Sequence, residues 1–243
     1  MSNMPKPKPK PKPKTASAQT SANPPCWPPF KPTLPVIDLV PQPHPATSKI
    51  AFIQGFFPRS LCRDYVAFLQ TLPLQTTPGR PKRGEAVRVH DRFQVDDASF
   101  ACRLWEQTGL REALAHHDVK DLWDGEPVGL SPNIRIYRYS KGQYFDCHYD
   151  DSNILTLATK PPTPVRTTWT LLLYLTSANE GCIGGETVFY PHDRKSPSEQ
   201  IVVPLETGTL LLHKHGNDCL LHEGREVTAG EKFVLRTDIC VKR

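Results

Sequence analysis

The sequence predicts an α+β protein: a β core of jelly-roll or barrel type, braced by preceding helices and led in by an extended tail. Three observations carry this. Residues 5–14 repeat Pro-Lys five times, and fourteen of the 26 prolines lie between Pro5 and Pro45. From Pro58 to Leu72, and again from Asp96 or Asp97 to about His116, apolar residues recur at helical spacing. Beyond residue 130 the chain becomes a series of short β-rich runs separated by turn residues. Helices first and strands second is a layered α+β arrangement.

The alternating Pro-Lys tract favours solvated polyproline II over a packed element. Residues 1–48 are therefore expected to be a disordered tail, with short stretches docking near Trp27–Phe30 or Val36–Val40. A helical support region is expected over 49–130 and a β core over 131–243. Ile50–Gln54 reads as a strand. Leu61, Tyr65, Phe68 and Leu69 mark a helix from Pro58 to Leu72, and a loop follows over Pro78–Gly84. Asp96 or Asp97 caps a second helix that buries Phe100, Leu104 and Trp105 and runs to about His116. The strand series is Ile134–Tyr139, Tyr144–Tyr149, Thr168–Leu175, Thr187–Tyr190, Ile201–Pro204, Thr209–His213 and Lys232–Cys240.

The chain has 243 residues, enough for one sizeable core, and a formal net charge of +5. Six lysines lie in residues 1–34 with no acid; without them, 24 basic and 25 acidic residues leave −1. The basicity belongs to the tail, so the folded part lacks the excess charge that nucleic-acid binding requires. No run is apolar enough to span a membrane. The N-terminus lacks the apolar segment of a signal peptide, and the seven cysteines form no CxxC pair. Free thiols in the cytoplasm or nucleus, rather than secretion, are the expectation.

His148-Tyr149-Asp150 is the first candidate metal element. On a strand, residues i and i+2 project to one face. A third ligand from a distant strand would complete a two-histidine, one-carboxylate facial triad with open positions. His116-His117-Asp118 is a second HxD. It follows a helical pattern, where i and i+2 point roughly 200° apart, and is the poorer chelator.

The flanking residues resemble a known family. Tyr139-Ser-Lys-Gly-Gln-Tyr-Phe-Asp-Cys-His148-Tyr-Asp150 is similar to the first metal-binding strand of prolyl 4-hydroxylase-like Fe(II)/2-oxoglutarate-dependent dioxygenases. Gly184-Gly185-Glu186-Thr187-Val188-Phe189 matches that family's Gly-Gly-x-Thr-x-Phe turn and strand. Glu206-Thr207-Gly208-Thr209 resembles the turn before its distal histidine strand, and His222 is followed ten residues later by Lys232. The resemblance implies a double-stranded β-helix core and iron(II) held by His148, Asp150 and His222. It implies 2-oxoglutarate and O2 as cosubstrates, with ascorbate as reductant and succinate and CO2 released as a peptide (prolyl residues included) or small molecule is hydroxylated.

Under the resemblance, Lys232 meets the 5-carboxylate of 2-oxoglutarate and Tyr139 donates its hydroxyl to the same group. Arg236, four residues along the strand, is the alternative cation, or faces the 1-carboxylate or the substrate. His213 and His215 share a strand face and compete with His222 as distal ligand; otherwise they are a polar strand end. Loops 151–166 and 191–200 flank the mouth as candidate lids. Arg92 is a candidate substrate contact in the stretch Arg88–Asp97, which otherwise reads as solvated surface. Two other functions remain open: a nucleic-acid demethylase on the same iron core, and a silent barrel whose proline-rich tail docks proline-recognition modules.

Overall fold

The computed structural model describes residues 23–77 and 86–243. Of the expected tail, residues 1–22 lie outside this range, as does the loop expected at Pro78–Gly84. Residues 23–48 run along the folded body rather than away from it. Trp27 is buried and stacks on Phe100 with ring centroids 4.2 Å apart. Its Nε1 donates to Asp97 Oδ2 at 2.8 Å. Leu34 is also buried, and Gln42–His44 pairs antiparallel with the strand Thr47–Ile53. Apolar residues placed between prolines explain this docking: the prolines hold the chain extended while Trp27 and Leu34 reach the core.

Helix α1 (Arg59–Leu69) buries Leu61, Cys62, Tyr65 and Leu69, a single stripe at helical spacing. Helix α2 (Ala98–Glu106) is capped by Asp97, whose Oδ1 accepts from the Phe100 amide at 2.8 Å. The helix expected to continue to His116 breaks at Gly109, where φ is +76°, and restarts as α3 (Leu110–Leu114). Glycine adopts that left-handed conformation without the Cβ clash that other residues incur. Periodicity on either side of the break is intact, which is why one continuous helix was expected.

The described strands form two main antiparallel sheets. The larger has ten strands, and its central run is Leu210–Lys214, Thr163–Tyr174, Glu231–Lys242, Asn133–Ser140 and Asp91–Asp96. The smaller has five, in the order Ile201–Val203, Thr187–Tyr190, Leu221–Gly224, Tyr144–His148 and Arg88–Val89. The outer face of the large sheet (Ile134, Ile136, Leu171, Leu173, Leu235) packs on α1–α3 in one core. Its inner face (Tyr137, Tyr139, Leu211, Val234) meets Phe189, Ile201 and Val203 of the small sheet in a second. Alternating residues of each central strand therefore serve opposite cores. This is the jelly roll expected from the strand series.

The Arg88–Asp97 stretch is not a solvated surface. Asp91–Asp96 pairs residue for residue with residues 133–138, extending the large sheet beyond the expected core boundary. Loop 151–166 is a hairpin in which Ile154–Leu157 pairs with Thr163–Arg166. No helix among the described residues is long and apolar enough to cross a membrane.

Candidate active site

His148 and His222 face each other across two neighbouring antiparallel strands, with ring centroids 4.2 Å apart. In each, Nδ1 lies against a backbone carbonyl two residues back: Asp146 O at 2.8 Å for His148 and Leu220 O at 2.9 Å for His222. Nδ1–H donation to those oxygens leaves the Nε2 lone pair free, the tautomer and orientation a metal ligand needs. Both Nε2 atoms point to Asp150, at 3.8 Å from Oδ1 and 3.8 Å from Oδ2 respectively. The ligand atoms of His148, Asp150 and His222 all lie within 4.8 Å of one another.

Asp150 lies two residues beyond the end of its strand, which stops at His148. Tertiary contacts return it to the site. Its amide donates to Cys219 Sγ at 3.2 Å, its carbonyl accepts from Gly216 N at 2.8 Å, and its Oδ2 accepts from Thr170 Oγ1 at 2.9 Å. Burial alone would raise the Asp150 pKa, but the adjoining Arg236 guanidinium and imidazoles hold it well below the usual carboxylate range. Burial pushes His148 down to about 3, with His222 adding to the effect, and burial also lowers His222. Near neutral pH the donor set is thus two neutral imidazoles and a carboxylate, the protonation state that binds a divalent cation.

The competing histidines separate in the structure. Neither is the polar strand end considered from sequence, because both are buried. His215 is engaged at both nitrogens, by Thr170 Oγ1 at 3.0 Å and Thr167 Oγ1 at 2.9 Å. His213 lines the same cavity as the triad: its Nδ1 lies 3.2 Å from Lys214 O, while its Nε2, 3.7 Å from Asp150 Oδ2, has no hydrogen-bond partner among the described residues. Alternation along Leu210–Lys214 would have exposed this placement from sequence, had the strand's inner face been known. His116, His117 and Asp118 also cluster, with His117 Nε2 3.0 Å from Asp118 Oδ1, but in an exposed turn rather than a helix.

At another part of the cavity sits Lys232, buried and opposite Tyr139 in strand register. Its Nζ donates to Gly185 O at 2.7 Å and lies 5.2 Å from the Tyr139 ring centroid. No carboxylate forms an ion pair with it among the described residues, and burial pushes its pKa down to about 8. A buried ammonium with one hydrogen bond and no counter-ion fits an anionic ligand group. Gly184 and Gly185, at φ +78° and +76°, permit this approach: a Cβ on Gly185 would lie 3.2 Å from Lys232 Cδ.

Arg236 sits four residues along the same strand face. Its Nη2 is 2.8 Å from Asp150 Oδ2, so its first partner is a candidate metal ligand. Arg92 is half-buried opposite Tyr137, which also lines the cavity. Loop 191–200 is fastened beside the histidine strands: Lys195 Nζ is 2.7 Å from Glu223 and 3.0 Å from Asp146, and Tyr149 donates to Asp193 at 2.9 Å.

Two imidazoles, a carboxylate and a buried lysine without an ion-pair partner among the described residues, converging on one cavity of a jelly roll, are a donor set suited to a divalent metal and an anionic ligand. Comparison with known proteins makes the class particular. The profile of the 2OG-Fe(II) oxygenase superfamily matches residues 134–237. The fold is similar to that of a Pseudomonas putida prolyl-4-hydroxylase (16% identity, 82% of this chain and 95% of that chain, TM-score 0.54). It is also similar to a 2OG-Fe(II) oxygenase family oxidoreductase from Burkholderia pseudomallei (15%, 80% and 86%, TM-score 0.54). A third is a Trichoplax adhaerens prolyl hydroxylase in complex with a hypoxia inducible factor oxygen degradation domain peptide fragment (16%, 80% and 84%, TM-score 0.52). No curated protein matches the chain. Residues 134–237 thus match the 2OG-Fe(II) oxygenase superfamily, within a fold shared with prolyl hydroxylases.

Proposed function

We propose that His148, Asp150 and His222 hold the iron, that Lys232 binds the 5-carboxylate of 2-oxoglutarate, and that the enzyme hydroxylates a peptide or small molecule. The observation that carries this is the cavity itself, which has three convergent ligand atoms and a buried ammonium without a carboxylate partner among the described residues. Iron with 2-oxoglutarate and O2 supplies oxidation of an unactivated C–H bond, with succinate and CO2 as coproducts.

The chain's own residues bind and orient. The Nδ1–H bonds fix both imidazole rings, and Arg236 and Thr170 hold the Asp150 carboxylate. Tyr139 and Tyr174 flank the Lys232 ammonium with aromatic rings, at 5.2 and 5.5 Å, excluding water and leaving its charge for the cosubstrate. Because Arg236 is engaged by Asp150, Lys232 is the better partner for the far carboxylate. Prolyl peptides are the first substrates to test, given the fold shared with prolyl hydroxylases. A reducing compartment, cytoplasm or nucleus, suits seven cysteines that are all free.

The test is succinate formation from 2-oxoglutarate by the wild type beside His148→Ala and His222→Ala. Turnover by the wild type and loss in both variants is expected. A wild type that binds neither metal nor 2-oxoglutarate would sink the assignment. Normal turnover by His222→Ala with loss in His213→Ala would move the distal ligand to His213.

A further inference from the structure

The inner face of the large sheet carries three arginines in a row. Arg236 is the register partner of Arg135 on Asn133–Ser140, and Arg135 is the register partner of Gln94 on Asp91–Asp96. Arg92, two residues before Gln94, projects to the same side. The row therefore starts beside the triad at Arg236 and crosses three adjacent strands. Neighbouring strands lie about 4.8 Å apart, so these guanidiniums are near neighbours.

Their charges are only partly balanced. Arg236 pairs with Asp150, and Arg135 pairs with Asp238. Arg92 has no ion-pair partner among the described residues; one of its terminal nitrogens contacts Gln94. Three guanidiniums thus face two carboxylates. The Nε atoms of Arg92, Arg135 and Arg236 are all buried without a hydrogen-bond partner among the described residues, as is Asn133 Oδ1 on the same face. Tyr137, which lines the cavity, reports the excess. Burial should raise its hydroxyl pKa, yet Arg236, Arg135 and Arg92 together lower it.

Leaving a half-buried guanidinium, its Nε fully covered, without a counter-ion is costly unless a ligand supplies one. We propose that Arg92 and Arg135 form a subsite for a carboxylate on the substrate, continuing the row that begins at Arg236. The proposal rests on the oxygenase reading above and names the substrate class for that site. A planar guanidinium fork matches a carboxylate in a way that a neutral amide does not. One negative charge balances the row, whereas a phosphate dianion overcompensates it.

The experiment loads the full chain with Ni(II) and 2-oxoglutarate and follows binding by calorimetry. Benzoate, N-acetylproline and N-acetylleucine are then titrated, each beside its primary amide, with phenyl phosphate as the dianion control. An acid is expected to bind about tenfold or more tighter than its amide, and tighter than phenyl phosphate. That preference should collapse in Arg92→Gln and Arg135→Gln and return in part in Arg92→Lys. Arg92→Gln breaks no ion pair, so it carries the test if Arg135→Gln fails to fold. The subsite is overturned if no acid outbinds its amide, if phenyl phosphate binds best, or if the preference survives Arg92→Gln. Failure to load Ni(II) and 2-oxoglutarate would overturn the oxygenase assignment instead, and that loading is read first in every variant.

Discussion

Arg236 Nη2 lies 2.8 Å from Asp150 Oδ2 inside the cavity that both residues line. A guanidinium thus sits on the carboxylate that would also face the metal, and each serves as counter-charge to the other in the apo protein. Arg236→Met leaves the Asp150 charge buried and unpaired, a loss of about 3–5 kcal/mol. A divalent cation replaces the missing charge. The variant should therefore melt well below the wild type without metal and gain more from added Ni(II) in a thermal-shift titration. An equal gain in both proteins would show that Arg236 does not balance Asp150.

The three cavity histidines should differ in rank. Removal of His148 or His222 takes away a nitrogen held by Nδ1–H donation to a backbone carbonyl, and Ni(II) affinity should fall by more than about 100-fold. His213 shares the cavity but does not join His148, Asp150 and His222 in their group of mutually close ligand atoms. His213→Ala should cost about 10- to 100-fold, the range for a group that supports a ligand. Equilibrium titration of the apo variants separates the two classes, and equal losses would make His213 a ligand.

Lys232 carries a stability cost that binding relieves. Its folded pKa of about 8 lies below the ordinary 10.5. Between those values the unfolded chain holds more protons than the folded one, so apo stability rises with pH across that window. Below it the full cost applies, about 3 kcal/mol. Lys232→Met should accordingly melt higher than the wild type at pH 7, with the gap closing towards pH 10, while 2-oxoglutarate affinity collapses. In the wild type, affinity for 2-oxoglutarate should weaken as pH rises through 8, and binding at pH 8 should take up protons. Calorimetry in buffers of different ionisation enthalpy reads that uptake.

Gly184 and Gly181 offer a matched comparison. Both have left-handed backbone, φ +78° and +83°, but a Cβ at Gly184 would lie 2.4 Å from Glu226 O, whereas one at Gly181 meets nothing within 4 Å. Gly181→Ala should cost the conformational strain alone, about 1–2 kcal/mol. Gly184→Ala should cost more and raise the 2-oxoglutarate requirement, because the turn that presents Gly185 O to Lys232 must move. Denaturant melts and a 2-oxoglutarate titration of both variants check the contrast.

Much of the fold was legible because local patterns and tertiary demands agree. Leu61, Tyr65 and Leu69 announce α1, and the alternation in Asn133–Ser140 and Glu231–Lys242 announces central strands. Where a single residue changes the backbone's course, periodicity was silent, as at Gly109. Arg88–Asp97 misled for a different reason. Asp91 is buried and Arg92 half-buried within a strand paired with residues 133–138, and composition reads charge as solvent exposure. Trp27 and Leu34 dock despite their proline-rich surroundings because a few well-placed apolar residues suffice to bury an extended segment.

By itself the sequence determined the donor types, their order along the chain and the ten-residue interval from His222 to Lys232. Those are covalent facts, and they limit the chemistry the chain can perform. Only the tertiary structure decided which groups meet. It carries Asp150 back from beyond its strand end onto Arg236 and Thr170, satisfies His215 with two threonines, and brings His213 beside the triad. It also leaves Lys232 and Arg92 without carboxylate partners among the described residues. The reason is physical: a strand fixes which face a side chain takes, but its counter-charge comes from a neighbouring strand distant in sequence, and burial makes that pairing count.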